Sequence, residues 1–254
     1  MNGTEVAWRR LIELAAAFAL LTRLPAHRLL LPRLTVQSQA VWAYPFVGAA
    51  VGAIGGAAYW LLQSLSCPPA LSALCALIAM ILVTGAMHED GLADFADGLA
   101  GDSKEHSLSI MRDHQIGTYG VIALAMSLAI RATAIAFIAE PRAVMAALIA
   151  AGAASRLSAV LIMVALPPAR KDGLSASVGG VPAGLAAIAL GLSFIVAVLL
   201  LPFRVALLVI LSAIVSAILV GRSALIRVGG QTGDVLGASI QVCECLALIV
   251  LVIV

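Results

Sequence analysis

Residues His88 to Gly101 read HEDGLADFADGLAG and place four of the chain's thirteen acidic residues within nine positions. Asp90, Asp94 and Asp97 follow one another at i, i+4 and i+7. On an α-helix turning about 100° per residue, these three carboxylates fall within an arc of roughly 60°. Charged carboxylates crowded on one face repel, and a divalent cation among them relieves the repulsion. All-oxygen donors favour Mg²⁺ or Mn²⁺ over zinc or copper. The expected ligands are Asp90, Asp94 and Asp97, with Glu89 a fourth that lies off their shared face. His88 is a candidate general base, because an unperturbed imidazole titrates near pH ~6.5. In a helix, however, it points about 160° away from Asp90. His106 and His114 share this polar segment. The plainer alternative is a solvated acidic loop between two membrane helices.

Three further segments could handle phosphates. In IMRDHQIGTYG (Ile110–Gly120), Arg112 and Asp113 precede Gly117 and Gly120 at the start of an apolar run. Glycines at a helix start let backbone N–H groups approach an anion, and an arginine fork can grip its oxygens. LPPARKDG (Leu166–Gly173) ends a helix at two prolines and follows with Arg170 and Lys171, for which interfacial anchoring is the simpler reading. GGQTGDVLGASIQVCE (Gly229–Glu244) leads through Thr232 and Asp234 into a final span. Glu244 lies about 15 Å further along that helix, near mid-membrane. An ionised residue there costs about 2.5–3.5 kcal/mol, so it should face the bundle interior and find a partner. Arg131 and Arg156, also inside apolar runs, are the candidates. The expected substrate contacts are therefore Arg112, Asp113, Gly117, Arg170, Thr232 and Asp234.

These segments need a frame, and composition specifies it. With 63% hydrophobic and 11% charged residues, the chain reads as one all-α, polytopic integral membrane domain over residues 1–254. Apolar runs long enough to cross a bilayer lie near 40–63, 69–87, 119–139, 143–166, 182–201, 205–226 and 235–254, about seven spans. Residues 6–21 are apolar but short and carry Arg9, Arg10 and Glu13, which suits an interfacial or partly inserted helix. They do not read as a cleavable signal, because Arg23 and Arg28 follow them. Most Lys and Arg residues fall on one side of this scheme. The positive-inside rule places the N-terminus and segments 88–118, 167–181 and 227–234 in the cytoplasm. The four cysteines show no metal-type pairing, and the dispersed basic residues exclude a nucleic-acid interface.

FALLTRLP (Phe18–Pro25), YPFVGAAVG (Tyr44–Gly52), TGAMHEDGLADFADGLAG (Thr84–Gly101), IMRDHQIGTYG, LPPAR and GGQTGDVLGASIQVCE occur in order over almost the whole chain. In these motifs the sequence resembles the cobalamin synthases, the adenosylcobinamide-GDP ribazoletransferases. Asp94-Phe95-Ala96-Asp97-Gly98 is also similar to the D-x-x-D-G opening of CDP-alcohol phosphotransferases, although the rest of that signature is not in register. The resemblance implies a Mg²⁺-dependent (or Mn²⁺-dependent) enzyme of the bacterial inner membrane with a cytoplasmic active site and room for an oligomer. Its substrates would be adenosylcobinamide-GDP and α-ribazole or its 5′-phosphate, and its products adenosylcobalamin or its 5′-phosphate and GMP. His88, Glu89 and Asp90 are then the expected catalytic groups. The rival readings are a CDP-alcohol-type phosphatidyltransferase and a cation-coupled transporter. Carboxylates at a helix boundary rather than at mid-membrane count against the transporter.

Overall fold

Glycine and alanine set how closely the helices of this chain approach, and the bundle centre forms where they are densest. The computed structural model describes residues 3–26, 37–113, 115–170, 178 and 180–254. The described elements are α1 (Gly3–Leu21), a 3₁₀ turn (Gln37–Ala43), α2 (Tyr44–Ser64), α3 (Pro69–Thr84), α4 (Met87–Gly98) and α5 (Lys104–Ile110). There follow α6 (Thr118–Ile138), α7 (Pro141–Ala165), α8 (Ala183–Leu200), α9 (Phe203–Arg227) and α10 (Gly233–Ile253). The all-α expectation holds.

α7 is the most buried of the spanning helices. It packs on α2 through Gly48, Gly52 and Gly152. A methyl group at Gly48 would overlap the Gly152 carbonyl oxygen, and one at Gly52 would overlap that of Leu148. In lipid, where apolar surface has little reason to leave its solvent, close backbone contact of this kind is what holds helices together. The start of α7 is closed by Glu140, whose carboxylate accepts from the Ala143 N–H at 2.6 Å. Pro141 occupies the first turn, where no backbone donor is missed.

Among the described residues, six helices are long and apolar enough to cross a membrane. They coincide with six of the expected spans, and the chain is an integral membrane protein. α1 is not among the six. It is pinned to the 3₁₀ turn by Glu13, which is buried and accepts from Arg9, Arg10 and the Trp42 indole, the last at 2.8 Å.

The expected span near 69–87 is a bent pair of helices rather than one straight helix. α3 stops at Thr84, because Gly85 (φ 67°) and Ala86 (φ 59°) both adopt left-handed backbone. The chain then turns by 89° into α4, so the seventh crossing exists only if the bent pair counts as one broken span. The turn has a plain cause: α4 carries four carboxylates and cannot prolong α3 through an apolar slab.

The polar segments converge on one end of the bundle. The Gly117 N–H donates to Asp97, Arg170 to the Leu108 carbonyl, and the Ala169 N–H to the Gln231 carbonyl at 2.8 Å. Gln231 returns its own N–H to Pro167. At the other end, the Tyr59 hydroxyl donates to the Ala139 carbonyl at 2.9 Å. Reporters fused after residues 104 and 230 should therefore read from the same side of the membrane, and those after 66 and 140 from the opposite side. Residues 66 and 104 reporting from one side would contradict this architecture.

Candidate active site

α4 lies across the polar end of the bundle, packed on α6 and α10. Gly91 makes the approach to α10 close. A methyl there would sit 2.9 Å from the Asp234 carbonyl oxygen, and one at Gly237 would sit 3.3 Å from the Gly91 Cα. This contact brings Asp90 and Asp94 beside Asp234. Asp90 is exposed and Asp94 half-buried. Burial, then the neighbouring charges of Asp90, Asp234 and Asp97, push the Asp94 carboxyl up to about 7, against the opposing pull of Arg170. The Arg170 guanidinium stands 3.9 Å from the Asp234 carboxylate. Thr232 caps α10 by accepting from the Val235 N–H at 3.2 Å, and its hydroxyl donates to Asp234 at the same distance.

Beneath this surface lies a network of charges sealed from solvent. Arg131 of α6 donates to Glu244 of α10 at 3.0 Å and to Glu89 of α4 at 3.2 Å. Arg156 of α7 donates to the other oxygen of Glu244 and to the Ser155 hydroxyl. Gln241 donates to Glu89 at 2.9 Å, and Ser127 donates to Gln241. Two arginines against two glutamates leave no net charge, the condition under which ions survive burial. The expectation that Glu244 pairs with Arg131 or Arg156 is met by both at once. Gln241 was not singled out from sequence, because an amide among apolar residues carries no pattern until its partner is known.

Several expected roles change. Glu89 faces inward, its Oε1 accepting from Arg131 and Gln241, while its Oε2 has no hydrogen-bond partner among the described residues. Asp97 is buried, and its two carboxylate oxygens accept from the N–H groups of Gly117 and Gly120 at 2.8 and 2.9 Å. The helix N-terminus read as a phosphate cradle thus already holds an anion, supplied by the protein itself. Gly117 is therefore a seat for Asp97 rather than a substrate contact. His88 is buried, and its Nε2 has no hydrogen-bond partner among the described residues. It does not stand on an open surface as a general base would. Thr232 is spent on its cap. Arg112 and Asp113 are exposed, with Asp113 accepting from the Gln115 N–H. His114 and Lys171 lie outside the described residues. Asp234, read as a phosphate contact, instead joins the carboxylates.

The donor set offers a direct test of a divalent ion. Among the described residues, no three His, Cys, Asp or Glu side chains stand close enough together to hold a metal ion as placed. Yet Asp90 and Asp234 are all-oxygen neighbours of Asp94, whose carboxyl is raised first by burial and then by their charges. In donor type and in unbalanced charge they fit Mg²⁺, which commonly takes one or two protein carboxylates and completes its shell with water and phosphate. Asp97 does not fit, because both its carboxylate oxygens are engaged by backbone N–H groups.

A family profile described as cobalamin-5-phosphate synthase matches residues 13–252. The chain belongs to the cobalamin-5-phosphate synthase family. A relative from Bradyrhizobium diazoefficiens is 42% identical over 249 residues, covering 98% of this chain and 96% of its own. Relatives from Rhizobium johnstonii and Mesorhizobium japonicum are 41% and 39% identical, each covering more than nine-tenths of both chains. All three are named adenosylcobinamide-GDP ribazoletransferase. No solved structure matches this cobalamin-5-phosphate synthase family member.

Two stability experiments follow for the detergent-solubilised protein. Asp97→Ala removes the acceptor for two helix-start donors and should cost about 1–3 kcal/mol in unfolding free energy, whereas exposed Asp90→Ala should cost little. Equal effects would remove Asp97 from its capping role. Glu244→Gln and Arg156→Met should each destabilise the protein by several kcal/mol, and together by clearly less than their sum. Additive losses would mean that the two charges do not interact.

Proposed function

We propose that this chain is an adenosylcobinamide-GDP ribazoletransferase, the enzyme that joins the nucleotide loop of cobalamin. The observation that carries the reading is the meeting of Asp90 and Asp94, from the HEDGLADFADG segment, with Asp234 and Arg170 at one end of a membrane bundle of this family. Its substrates are adenosylcobinamide-GDP and α-ribazole or the 5′-phosphate of α-ribazole. The 3′-hydroxyl oxygen of the ribazole bonds to the phosphorus on the corrinoid's aminopropanol arm. The bond from that phosphorus to GMP breaks, and the hydroxyl proton passes to a carboxylate.

Asp90 is the group suited to take that proton, because it is the exposed carboxylate of the cluster. Asp94 and Asp234 would hold Mg²⁺, which when bound neutralises charge on the diphosphate. Arg170 is placed to offer the diphosphate a fixed positive charge without reorganisation, the usual source of barrier lowering in phosphoryl transfer. Arg112, exposed on the same end, is a further diphosphate contact. Glu89 and Asp97 hold α4 at the angle that presents Asp90 and Asp94. The distribution of Lys and Arg supports placing this end in the cytoplasm of a bacterium, with the bundle in its inner membrane.

The deciding experiment supplies purified protein with adenosylcobinamide-GDP, α-ribazole and Mg²⁺ and follows cobalamin and GMP. Both products should appear, chelation should abolish the activity, and restored Mg²⁺ should return it. No turnover, combined with cation flux in vesicles, would replace the enzyme with a transporter. Asp94→Asn should lower kcat by about 10²-fold or more while the protein still folds. Arg170→Ala should raise KM for adenosylcobinamide-GDP more than KM for α-ribazole. A near-normal rate in Asp94→Asn would remove it from the reaction.

A further inference from the structure

α1 is the reverse of an amphipathic helix packed in water. On a helix turning about 100° per residue, Trp8, Leu11, Ile12, Ala15 and Phe18 fall within an arc of roughly 120°. Glu13 lies on the opposite side, flanked by Arg9 and Arg10. That charged side is the one turned to the protein. Glu13 is buried, takes an N–H from each arginine, and accepts from the Trp42 indole at 2.8 Å. The apolar side lines a groove of about 300 Å³, and Trp8 and Leu11 are each more than half exposed. A helix in water packs the other way, with its apolar stripe against the protein.

The exit from α1 fixes the depth of this stripe. The Arg23 N–H donates to the Val83 carbonyl at 2.7 Å, and the Arg23 side chain lies against Gly85. Gly85 opens the 89° turn by which α4 leaves the apolar slab. α1 therefore ends at the edge of the hydrocarbon layer, at the polar end of the bundle. We propose that α1 docks an anionic phospholipid, whose acyl chains cover the stripe from Trp8 to Phe18 and whose phosphate is held by Arg9 and Arg10. This lipid site stands whether or not the chain is a transferase.

Two features select this occupant. Lipid chains are the surroundings in which an apolar stripe turned outward and a charged side turned inward are both favourable, and the bundle that carries α1 has the spans of a membrane protein. The charge is also complementary. Residues 3–36 contain five arginines (Arg9, Arg10, Arg23, Arg28 and Arg33) against Glu5 and Glu13, and a basic segment beside a bilayer attracts anionic headgroups. Arg9 and Arg10 are each about half exposed and give one N–H to Glu13. A guanidinium carries five such donors, so others are free to meet phosphate oxygens. Trp8 suits the same depth, because indole rings gather at the headgroup level. A second copy of the chain fits the groove poorly, since a symmetric contact would set these arginines against their own counterparts.

The test uses the full-length protein in nanodiscs of equal parts phosphatidylcholine and phosphatidylglycerol, with one lipid at a time carrying brominated chains. Bromine quenches a tryptophan that it touches, and the quenching lost in Trp8→Phe is the share due to Trp8. Trp8 should be quenched, and about threefold more strongly when phosphatidylglycerol carries the bromine than when phosphatidylcholine does. Added salt should shrink that preference in the wild-type protein, a measurement that needs no variant to fold. Replacing both arginines by Arg9→Gln and Arg10→Gln should abolish it, whereas Arg9→Lys with Arg10→Lys should keep most of it. Absence of Trp8 quenching by either lipid would mean that protein covers the stripe, whether a second copy or residues 27–36, and would overturn the proposal. Equal quenching by the two lipids, or a preference indifferent to salt and to the glutamine pair, would remove the phosphate site and overturn it as well.

Discussion

A charge buried in a membrane bundle is tolerated only in company, and the arrangement of this site depends on one such company. Glu89, Arg131, Glu244 and Arg156 come from four different helices and pair in a network of no net charge. Removing any one strands its neighbour in a medium where an unpaired ion costs several kcal/mol. The network therefore constrains geometry more than it adds stability. It ties α4, which is turned 89° from α3, to the deep parts of α6, α7 and α10. The Gly91–Gly237 approach and the Asp97 cap then set how α4 lies on the bundle end.

The motif of four acidic residues divides its labour accordingly. Two members face inward or sideways and serve as anchors: Glu89 to the arginines, Asp97 to the start of α6. The other two, Asp90 and Asp94, face outward. There they meet Asp234, and repulsion among them is felt at Asp94. A surface rich in like charge is unfavourable in isolation, and the anchors hold it in place. Their interactions are made entirely by groups of the chain itself, and they hold the carboxylates in place. Preorganisation of this kind is where electrostatic catalysis finds most of its effect.

The bend at Gly85–Ala86 and the bridge between Pro167–Ala169 and Gln231 serve the same end from the connecting segments. The first redirects the chain so that the acidic residues leave the apolar slab. The second fastens the segment carrying Arg170 to the segment that opens α10. Arg170 thereby comes within 3.9 Å of Asp234 although 64 residues of sequence separate them.

Hydropathy alone determined the class of this protein and the bounds of most of its spans, because a bilayer demands a minimum apolar length and the chain either meets it or does not. The local spacing of Asp90, Asp94 and Asp97 likewise marked the helix that carries the acidic residues at the bundle end. The depth of Glu244 was enough to require a cationic partner. What each acidic side chain does was not legible, because helical spacing reports which residues share a face and not what lies opposite it. Only the tertiary structure gave Asp97 to the amides of Gly117 and Gly120, turned Glu89 to Arg131, and moved Asp234 from a phosphate contact to a third carboxylate. Each of those outcomes depends on a partner 20 to 150 residues away, at a distance set by how closely glycines let two backbones approach. Packing decided it.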